Sequence, residues 1–209
     1  MFLDLVKKLY TFTYYISNYS MRFWDFFHGT DFTFIDKPKG LDVYDSYYGT
    51  PWTSLFFLKR YIDKNLCGGK NRSILDIGCG KGFILYFFSL LHFKKVSGIE
   101  YERRRVHLAK KNLKTMLRDD KRIPDIYCGN AAAFKRYDLY DTFYLYNPFD
   151  RDMLEQVVLR ILSAERISKK PLLLFYCNPL YADVLLKYGF KETARFYYKT
   201  KVYVFWEER

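Results

Sequence analysis

The chain has 209 residues and a formal net charge of +12 at pH 7, and half of its residues are hydrophobic. This composition excludes an intrinsically disordered chain, and the length favours one domain with at most a small appendage. None of the four cysteines stands in C-x-x-C spacing and there are only three histidines, so we predict no metal site and expect free thiols in a reducing cytoplasm.

The first 35 residues are rich in aromatic side chains, and their apolar positions recur at spacings of three and four. This spacing predicts an N-terminal helical extension, residues 1–35, that covers one side of the domain or a substrate pocket. The alternative is a helix that lies on a membrane surface. We expect no transmembrane helix, because no charge-free run reaches about 18 residues.

Residues 36–209 are expected to form the main domain. A turn-rich linker leads to a predicted helix at 52–65, and beyond it strands and helices alternate. The predicted strands are 73–78, 95–100, 125–129, 141–147 and 171–177, and the predicted helices are 82–92, 102–117, 151–167 and 180–188. Two aromatic strands, 194–199 and 202–207, then follow without a helix between them. The pattern predicts an α/β fold, a Rossmann-like doubly wound seven-stranded sheet that is mostly parallel and ends in an antiparallel hairpin.

A glycine-rich turn follows the first strand, with Gly78, Gly80 and Gly82 around Cys79. Glycines let the backbone turn sharply and approach a ligand closely. A dinucleotide site needs G-x-G-x-x-G, but its last glycine is replaced by Phe83, so the chain reads G-x-G-x-G. Glu100, at the end of the next strand, is placed where a carboxylate can accept hydrogen bonds from ribose hydroxyls.

Together with Asp76 before the glycines, this arrangement resembles motifs I and II of class I S-adenosylmethionine (SAM)-dependent methyltransferases, over residues 45–209. The resemblance implies SAM as cofactor and S-adenosylhomocysteine (SAH) as product. The alternative is a Rossmann-like turn that binds nothing. The implied cofactor-binding residues are Asp76, Gly78, Cys79, Gly80 and Gly82 for the methionine part, Glu100 for the ribose, Tyr101, Asn130 and Ala131 for the adenine, and Tyr48 and Thr50 as a cover.

Asn147, Pro148, Phe149 and Asp150 follow the fourth strand and are the predicted catalytic residues. Proline is expected to hold Asn147 extended at the strand tip, where its carbonyl and that of Pro148 could accept hydrogen bonds from an amine. Phe149 could stack on a flat group and Asp150 could act as a base. The motif resembles the Asn-Pro-Pro-aromatic motif of amino-methylating enzymes, without its second proline, and the Asn-Pro-Phe of some small bacterial methyltransferases. The alternative is a turn in which Asp150 caps the next helix.

The resemblance implies a cytoplasmic methyltransferase that acts on a nitrogen of a small molecule, a protein side chain or a nucleic acid. The alternatives are an O-methyltransferase of a small molecule, a non-catalytic module that binds SAM or SAH, and a plain nucleic-acid binder. The densest basic cluster lies in residues 102–122. We interpret it as a solvated helix face, with weak contact to an anionic surface as the other reading.

Overall fold

The structure is a computed structural model that describes residues 20, 22–32, 50, 52–118, 123–165, 170–196 and 200–205. Its strands are β1 (Ser73–Ile77), β2 (Lys95–Glu100), β3 (Asp125–Cys128), β4 (Thr142–Tyr146), β5 (Leu172–Cys177), β6 (Lys191–Phe196) and β7 (Thr200–Phe205). Its helices are α1 (22–28), α2 (Trp52–Leu66), α3 (Phe83–Ser89), α4 (Arg103–Leu117), α5 (Arg151–Ser163) and α6 (Ala182–Lys187). No helix in these ranges is long and apolar enough to cross a membrane.

The strands of the described ranges form one seven-stranded sheet in the order β3-β2-β1-β4-β5-β7-β6. The first five strands are parallel, whereas β7 pairs antiparallel with both β5 and β6. The chain runs outward from β1 to β3 and then returns to β4 on the other side of β1. Open α/β sheets bind ligands at such a reversal, beyond the carboxyl ends of the strands.

Helices cover both faces of the sheet. Strand β5 is buried along its whole length, as its continuous apolar sequence predicts for a strand with two covered faces. Its alternate residues Leu174 and Tyr176 pack toward α5 and α6, while Phe175 and Cys177 pack toward α2 and α3. The carboxyl edge of the sheet is therefore fixed from both sides.

The predicted fold class is confirmed, but several element ends differ. The helix predicted at 151–167 ends at Ser163, one residue after the last apolar position of its stripe, Leu162, and Ala164 has an extended backbone with ψ of 119°. The helix predicted at 82–92 ends at Ser89, and the one predicted at 180–188 begins at Ala182.

The described part of the N-terminal extension is attached by its last residues rather than by its aromatic helix. Phe23, Phe26 and Phe27 on α1 are 66%, 81% and 76% exposed, so these three do not cover the domain as the spacing predicted. Phe32 is fully buried instead, with its ring centroid 5.5 Å from that of Phe83. Asp25 of α1 is buried as well, and its carboxylate accepts the Phe32 N–H at 3.0 Å, which ties the end of this segment back to the helix.

Candidate functional site

The turn after β1 has the conformation that its glycines permit. Gly78, Gly80 and Gly82 have φ of +80°, +52° and +87°, a region that side-chain-bearing residues rarely adopt. The N–H groups of Gly78 and Cys79 both donate to the Ile99 carbonyl of β2, at 2.9 and 3.0 Å. The loop is thereby held across the tips of the first two strands.

Glu100 holds this glycine loop through its side chain. Its Oε2 accepts the Gly80 N–H at 2.9 Å and its Oε1 accepts the Glu102 N–H at 3.0 Å. Each carboxylate oxygen has two lone pairs, so each retains an acceptor site after these bonds. The residue predicted to bind ribose therefore also ties the loop to β2.

Asp76 is a buried carboxylate at the end of β1. Only 3% of the residue is exposed, and no hydrogen bond to its side chain is present among the described residues. Burial raises its pKa well above the usual range, and the nearby Glu100 carboxylate raises it further. An uncompensated carboxylate in this position favours either a bound proton or a cationic ligand.

Cys79, inside the loop, faces the protein rather than the edge. It is buried against Leu85 and α4, and a Cβ placed on Gly98 would lie 2.7 Å from its Sγ. Burial raises the pKa of the thiol, and the carboxylates of Asp76 and Glu100 raise it further. Cys79 is therefore a packing residue with a neutral thiol.

Lys81, also in the loop, is fully buried and makes an ion pair of 3.1 Å with Asp31 of the N-terminal segment. Asn112 of α4 joins both partners. Its Nδ2 donates to the Lys81 and Asp31 carbonyls, each at 3.1 Å, and its Oδ1 accepts the Asp31 N–H at 3.0 Å. The end of the N-terminal extension is thus anchored to the glycine loop.

The residues predicted around an adenine lie beyond β2 and β3. Tyr101 is 78% exposed directly after Glu100, so its ring is available for stacking. Asn130 uses its Oδ1 to accept the Ala132 N–H at 2.8 Å, which caps a short 3-10 helix, Ala131–Ala133. Its amide nitrogen makes no hydrogen bond within the described ranges, and Ala131 is buried beside it.

At the end of β4 the structure corrects the predicted geometry of Asn147. The residue lies just beyond the strand and has φ of +41°, not the extended backbone expected before proline. Asparagine tolerates positive φ better than most residues. The Tyr176 hydroxyl donates to Asn147 Oδ1 at 2.9 Å and so stabilises this position.

Pro148 packs directly on the glycine loop. A Cβ placed on Gly78 would lie 2.7 Å from Pro148 Cβ, so this contact requires glycine. The loops after β1 and β4 therefore meet at the point where the sheet order reverses. The two motifs that the sequence separates by about 70 residues form one continuous surface.

Phe149 and Asp150 have structural contacts of their own. Phe149 is half-buried against the core on the α5 side of the sheet. Asp150 is the N-cap of α5 and accepts the Met153 N–H at 2.8 Å, the arrangement predicted as the alternative to a catalytic role.

Of the two predicted covering residues, Thr50 is buried and its Oγ1 lies 2.8 Å from the Tyr144 hydroxyl. Tyr144 sits beside Asp76 in the β1–β4 register. Tyr48 lies outside the described residues. The described ranges contain no group of three His, Cys, Asp or Glu side chains able to hold a metal ion.

Sequence reasoning missed two features of this edge. The Lys81–Asp31–Asn112 network joins parts of the chain that are 50 and 81 residues apart, and no local pattern signals it. A second asparagine-proline pair, Asn178-Pro179, follows β5. The sequence could have indicated this pair, because it repeats the Asn-Pro dipeptide that follows β4.

No protein-family model and no curated protein matches this sequence. Among solved structures, a candidate RNA methyltransferase from Pyrococcus horikoshii is similar with a TM-score of 0.58 and 16% identity, over 83% of this chain and 93% of that one. Magnesium protoporphyrin IX methyltransferase from Synechocystis, with bound SAM, is similar with a TM-score of 0.54 and 14% identity, over 78% of this chain and 88% of that one. A ribosomal protein L11 methylase from Lactobacillus delbrueckii subsp. bulgaricus has a TM-score of 0.54 and 14% identity, over 75% of this chain and 79% of that one. The chain has the class I methyltransferase fold.

Proposed function

We propose that this protein is a SAM-dependent methyltransferase that methylates a nitrogen of its acceptor. The observation that carries the proposal is the Asp76 carboxylate, buried without a hydrogen bond among the described residues, beside a glycine loop that Glu100 ties to β2. SAM carries an ammonium group and ribose hydroxyls. These are the groups that a buried carboxylate and a partly satisfied carboxylate are suited to bind.

The loop fits the methionine end of this cofactor. A nearby ammonium would favour the ionised form of Asp76, which burial alone disfavours. Glu100 retains an acceptor site on each oxygen for hydroxyl groups. Tyr101 offers an exposed ring for the adenine, and Asn130 offers an amide nitrogen that makes no hydrogen bond within the described ranges.

When bound, SAM supplies a methyl group on a sulfonium sulfur, so the leaving group is already good. The protein then has to position the acceptor, exclude water and accommodate one proton. Asn147 supports a nitrogen acceptor, because the Tyr176 hydroxyl fixes its Oδ1 while one lone pair remains for an amino N–H. The acceptor itself is a small molecule, a protein side chain or a nucleic acid.

Calorimetric titration with SAH tests the cofactor site, using wild type, Asp76→Asn and the exposed control Asp138→Asn. We expect wild type and the control to bind alike and Asp76→Asn to bind at least tenfold more weakly, since an amide cannot pair with the ammonium. Wild type that binds no SAH, or Asp76→Asn that binds as tightly as wild type, would contradict the proposal.

The same variant tests the electrostatic argument. A raised pKa means that the folded protein binds more protons at this site than the unfolded chain, so stability falls as pH rises above the usual carboxyl range. We therefore expect ligand-free Asp76→Asn to melt at a higher temperature than wild type at pH 7. The difference should shrink as the pH is lowered and vanish below the ordinary carboxyl pKa of about 3.9, where the carboxyl is protonated in both states.

Transfer of tritiated methyl from SAM tests the reaction. Total RNA, total protein and a small-molecule extract serve as separate acceptors, and chromatography of the hydrolysed products separates N-methyl from O-methyl groups. We expect Asn147→Gly to lose transfer while it keeps SAH affinity, because glycine accepts the positive φ of this position. Label found only on oxygen would exclude a nitrogen acceptor.

A further inference from the structure

The carboxyl edge of the sheet carries two asparagine-proline turns side by side. Asn147-Pro148 follows β4 and Asn178-Pro179 follows β5. The two strands are parallel neighbours, with Tyr146 paired with Cys177 at their ends. Each asparagine is therefore the first residue beyond the paired stretch, and adjacent strands place two such residues roughly 5 Å apart along the sheet.

Both asparagines have the same unusual backbone. Their φ values are +41° and +51°, in the left-handed region, and each immediately precedes a proline. Such conformations cost free energy and persist where the surrounding structure enforces them, often at functional sites. Two asparagines with this conformation lie side by side, just after the ends of β4 and β5. This arrangement indicates that the two turns serve the same function.

The two side chains differ in how far they are satisfied. Asn147 Oδ1 accepts the Tyr176 hydroxyl, which fixes the orientation of its amide. Asn178 is half-buried, and its side-chain amide makes no hydrogen bond within the described residues. Its backbone is fixed separately, because its carbonyl accepts the Leu180 N–H at 2.9 Å. The Asn178 backbone is thus held in place, while the donor and the acceptor of its side-chain amide are both available among the described residues.

We infer that Asn178 is a second acceptor-binding residue, which recognises, with Asn147, a planar group that carries an amino N–H next to a hydrogen-bond acceptor. Asn147 Oδ1 accepts the amino N–H, and Asn178 Nδ2 donates to the neighbouring carbonyl oxygen or ring nitrogen. Carboxamides and the amino edges of nucleobases share this chemistry. The inference rests on the proposed function and adds a criterion of specificity to it.

This pairing excludes simpler acceptors. An isolated amine or hydroxyl engages Asn147 alone and leaves the half-buried Asn178 amide without a partner. A polar group left unpaired in this way typically lowers the affinity by about 10- to 100-fold. The second asparagine therefore separates amides and aminated ring edges from plain amines and phenols.

The test is a titration of protein saturated with SAH, followed by two-dimensional NMR. Cytidine and adenine represent nucleobase edges, the tripeptide Gly-Gln-Gly represents a carboxamide, and benzylamine and phenol lack the paired edge. We expect wild type to bind a nucleobase or the peptide and to bind benzylamine and phenol at least tenfold more weakly. Binding of cytidine or adenine identifies the acceptor as a nucleobase, and binding of the peptide identifies it as a carboxamide.

Two variants assign the effect to Asn178. Asn178→Gly removes the amide and accepts the positive φ, whereas Asn178→Asp keeps the size but replaces the donor with a carboxylate. Asn71→Gly is the matched control, because Asn71 has φ of +67° in an exposed turn before β1. We expect both Asn178 variants to lose at least tenfold in probe affinity at unchanged SAH affinity, and the control to lose nothing.

The outcomes separate this inference from the proposed function. If wild type did not bind SAH, the proposed function would be overturned, and this inference with it. SAH binding by wild type together with no binding of any probe, or with equal probe affinity in both Asn178 variants, would overturn the role of Asn178 alone.

Discussion

The two halves of the carboxyl edge, which the proposed function assigns to the cofactor and to the acceptor, are held in different ways. In the cofactor half, beyond β1 and β2, the positive φ values fall on glycines, and the loop is tied down by backbone N–H groups and by Glu100. In the acceptor half, beyond β4 and β5, they fall on Asn147 and Asn178. The first half has residues without a side chain at its left-handed positions, whereas the second has a side-chain amide at each of them.

Under the proposed function, this difference corresponds to two different roles. In the proposed cofactor site, glycine backbone shapes the loop, and the carboxylates of Asp76 and Glu100 supply the polar contacts. Recognition of a particular acceptor needs side chains with a defined donor and acceptor. The halves meet where Pro148 packs on Gly78, so this contact is the most direct place to disturb both.

Gly78→Ala should give the largest effect. The new Cβ would lie 2.7 Å from Pro148 Cβ, and alanine disfavours a φ of +80°. We expect the free energy of unfolding to fall by about 3 kcal/mol, the sum of a strained backbone and an overpacked contact. Urea unfolding measures the loss, and SAH titration should show weaker binding as well.

Gly129→Ala is the matched control, because a Cβ at this position would meet no atom within 4 Å. We expect it to unfold within about 1 kcal/mol of wild type. If Gly78→Ala were as stable as this control, the two loops would not be in contact.

Asp31→Asn should give the next largest effect, in the cofactor half alone. It removes the negative charge that faces the buried Lys81 ammonium in the glycine loop. A hydrogen bond to a charged group contributes about 1.5 to 3 kcal/mol, so we expect a loss of about 2 kcal/mol in urea unfolding. SAH affinity should fall with it, because Lys81 belongs to the loop that would bind the cofactor.

Asp63→Asn provides the comparison for this variant. Asp63 pairs with Lys59 on the exposed face of α2, at i,i+4 spacing, and such pairs contribute only about 0.3 to 0.5 kcal/mol. Equal losses in Asp31→Asn and Asp63→Asn would show that the N-terminal segment is not anchored by the buried pair.

The two halves were not equally predictable from the sequence. Strand β2 was predicted to the residue, and the glycine pattern placed Asp76 and Glu100 at their strand tips, because glycine spacing reports backbone geometry directly. The conformation of Asn147 was predicted wrongly. The rule for residues before proline disfavours the right-handed helical region, and it does not anticipate an asparagine stabilised at positive φ by a tyrosine 29 residues later.

Long-range contacts account for the rest of what the sequence did not reveal. A lysine in a glycine-rich loop is usually exposed, and only the folded chain brings Asp31 and Asn112 to Lys81. The Asn178-Pro179 turn gains its significance from the pairing of β4 with β5, which places it beside Asn147. A dipeptide has no such meaning until the strand order is known.

Tyr176→Phe should give a smaller effect, confined to the acceptor half. It removes the hydroxyl that donates to Asn147 Oδ1, and a net loss of about 1 kcal/mol in stability is expected for one such bond. SAH affinity should stay unchanged, while methyl transfer falls because the Asn147 amide is no longer fixed in orientation. A variant with unchanged transfer would show that this hydrogen bond does not orient the acceptor.

Asp150→Asn should give the smallest change in stability and separates the two roles predicted for this residue. Asparagine caps helices about as well as aspartate, so the N-cap bond to Met153 and the stability should both be retained. Asp150→Ala loses the cap, and its free energy of unfolding should fall by about 1 kcal/mol.

Methyl transfer by the two variants separates the two roles of Asp150. If Asp150 takes the proton of the acceptor, Asp150→Asn loses methyl transfer at full stability. If it only starts α5, transfer follows stability, so that Asp150→Asn is fully active and only Asp150→Ala is impaired. Transfer rates of the two variants, measured beside their urea unfolding curves, therefore decide whether the acceptor half contains a base or only positions its substrate.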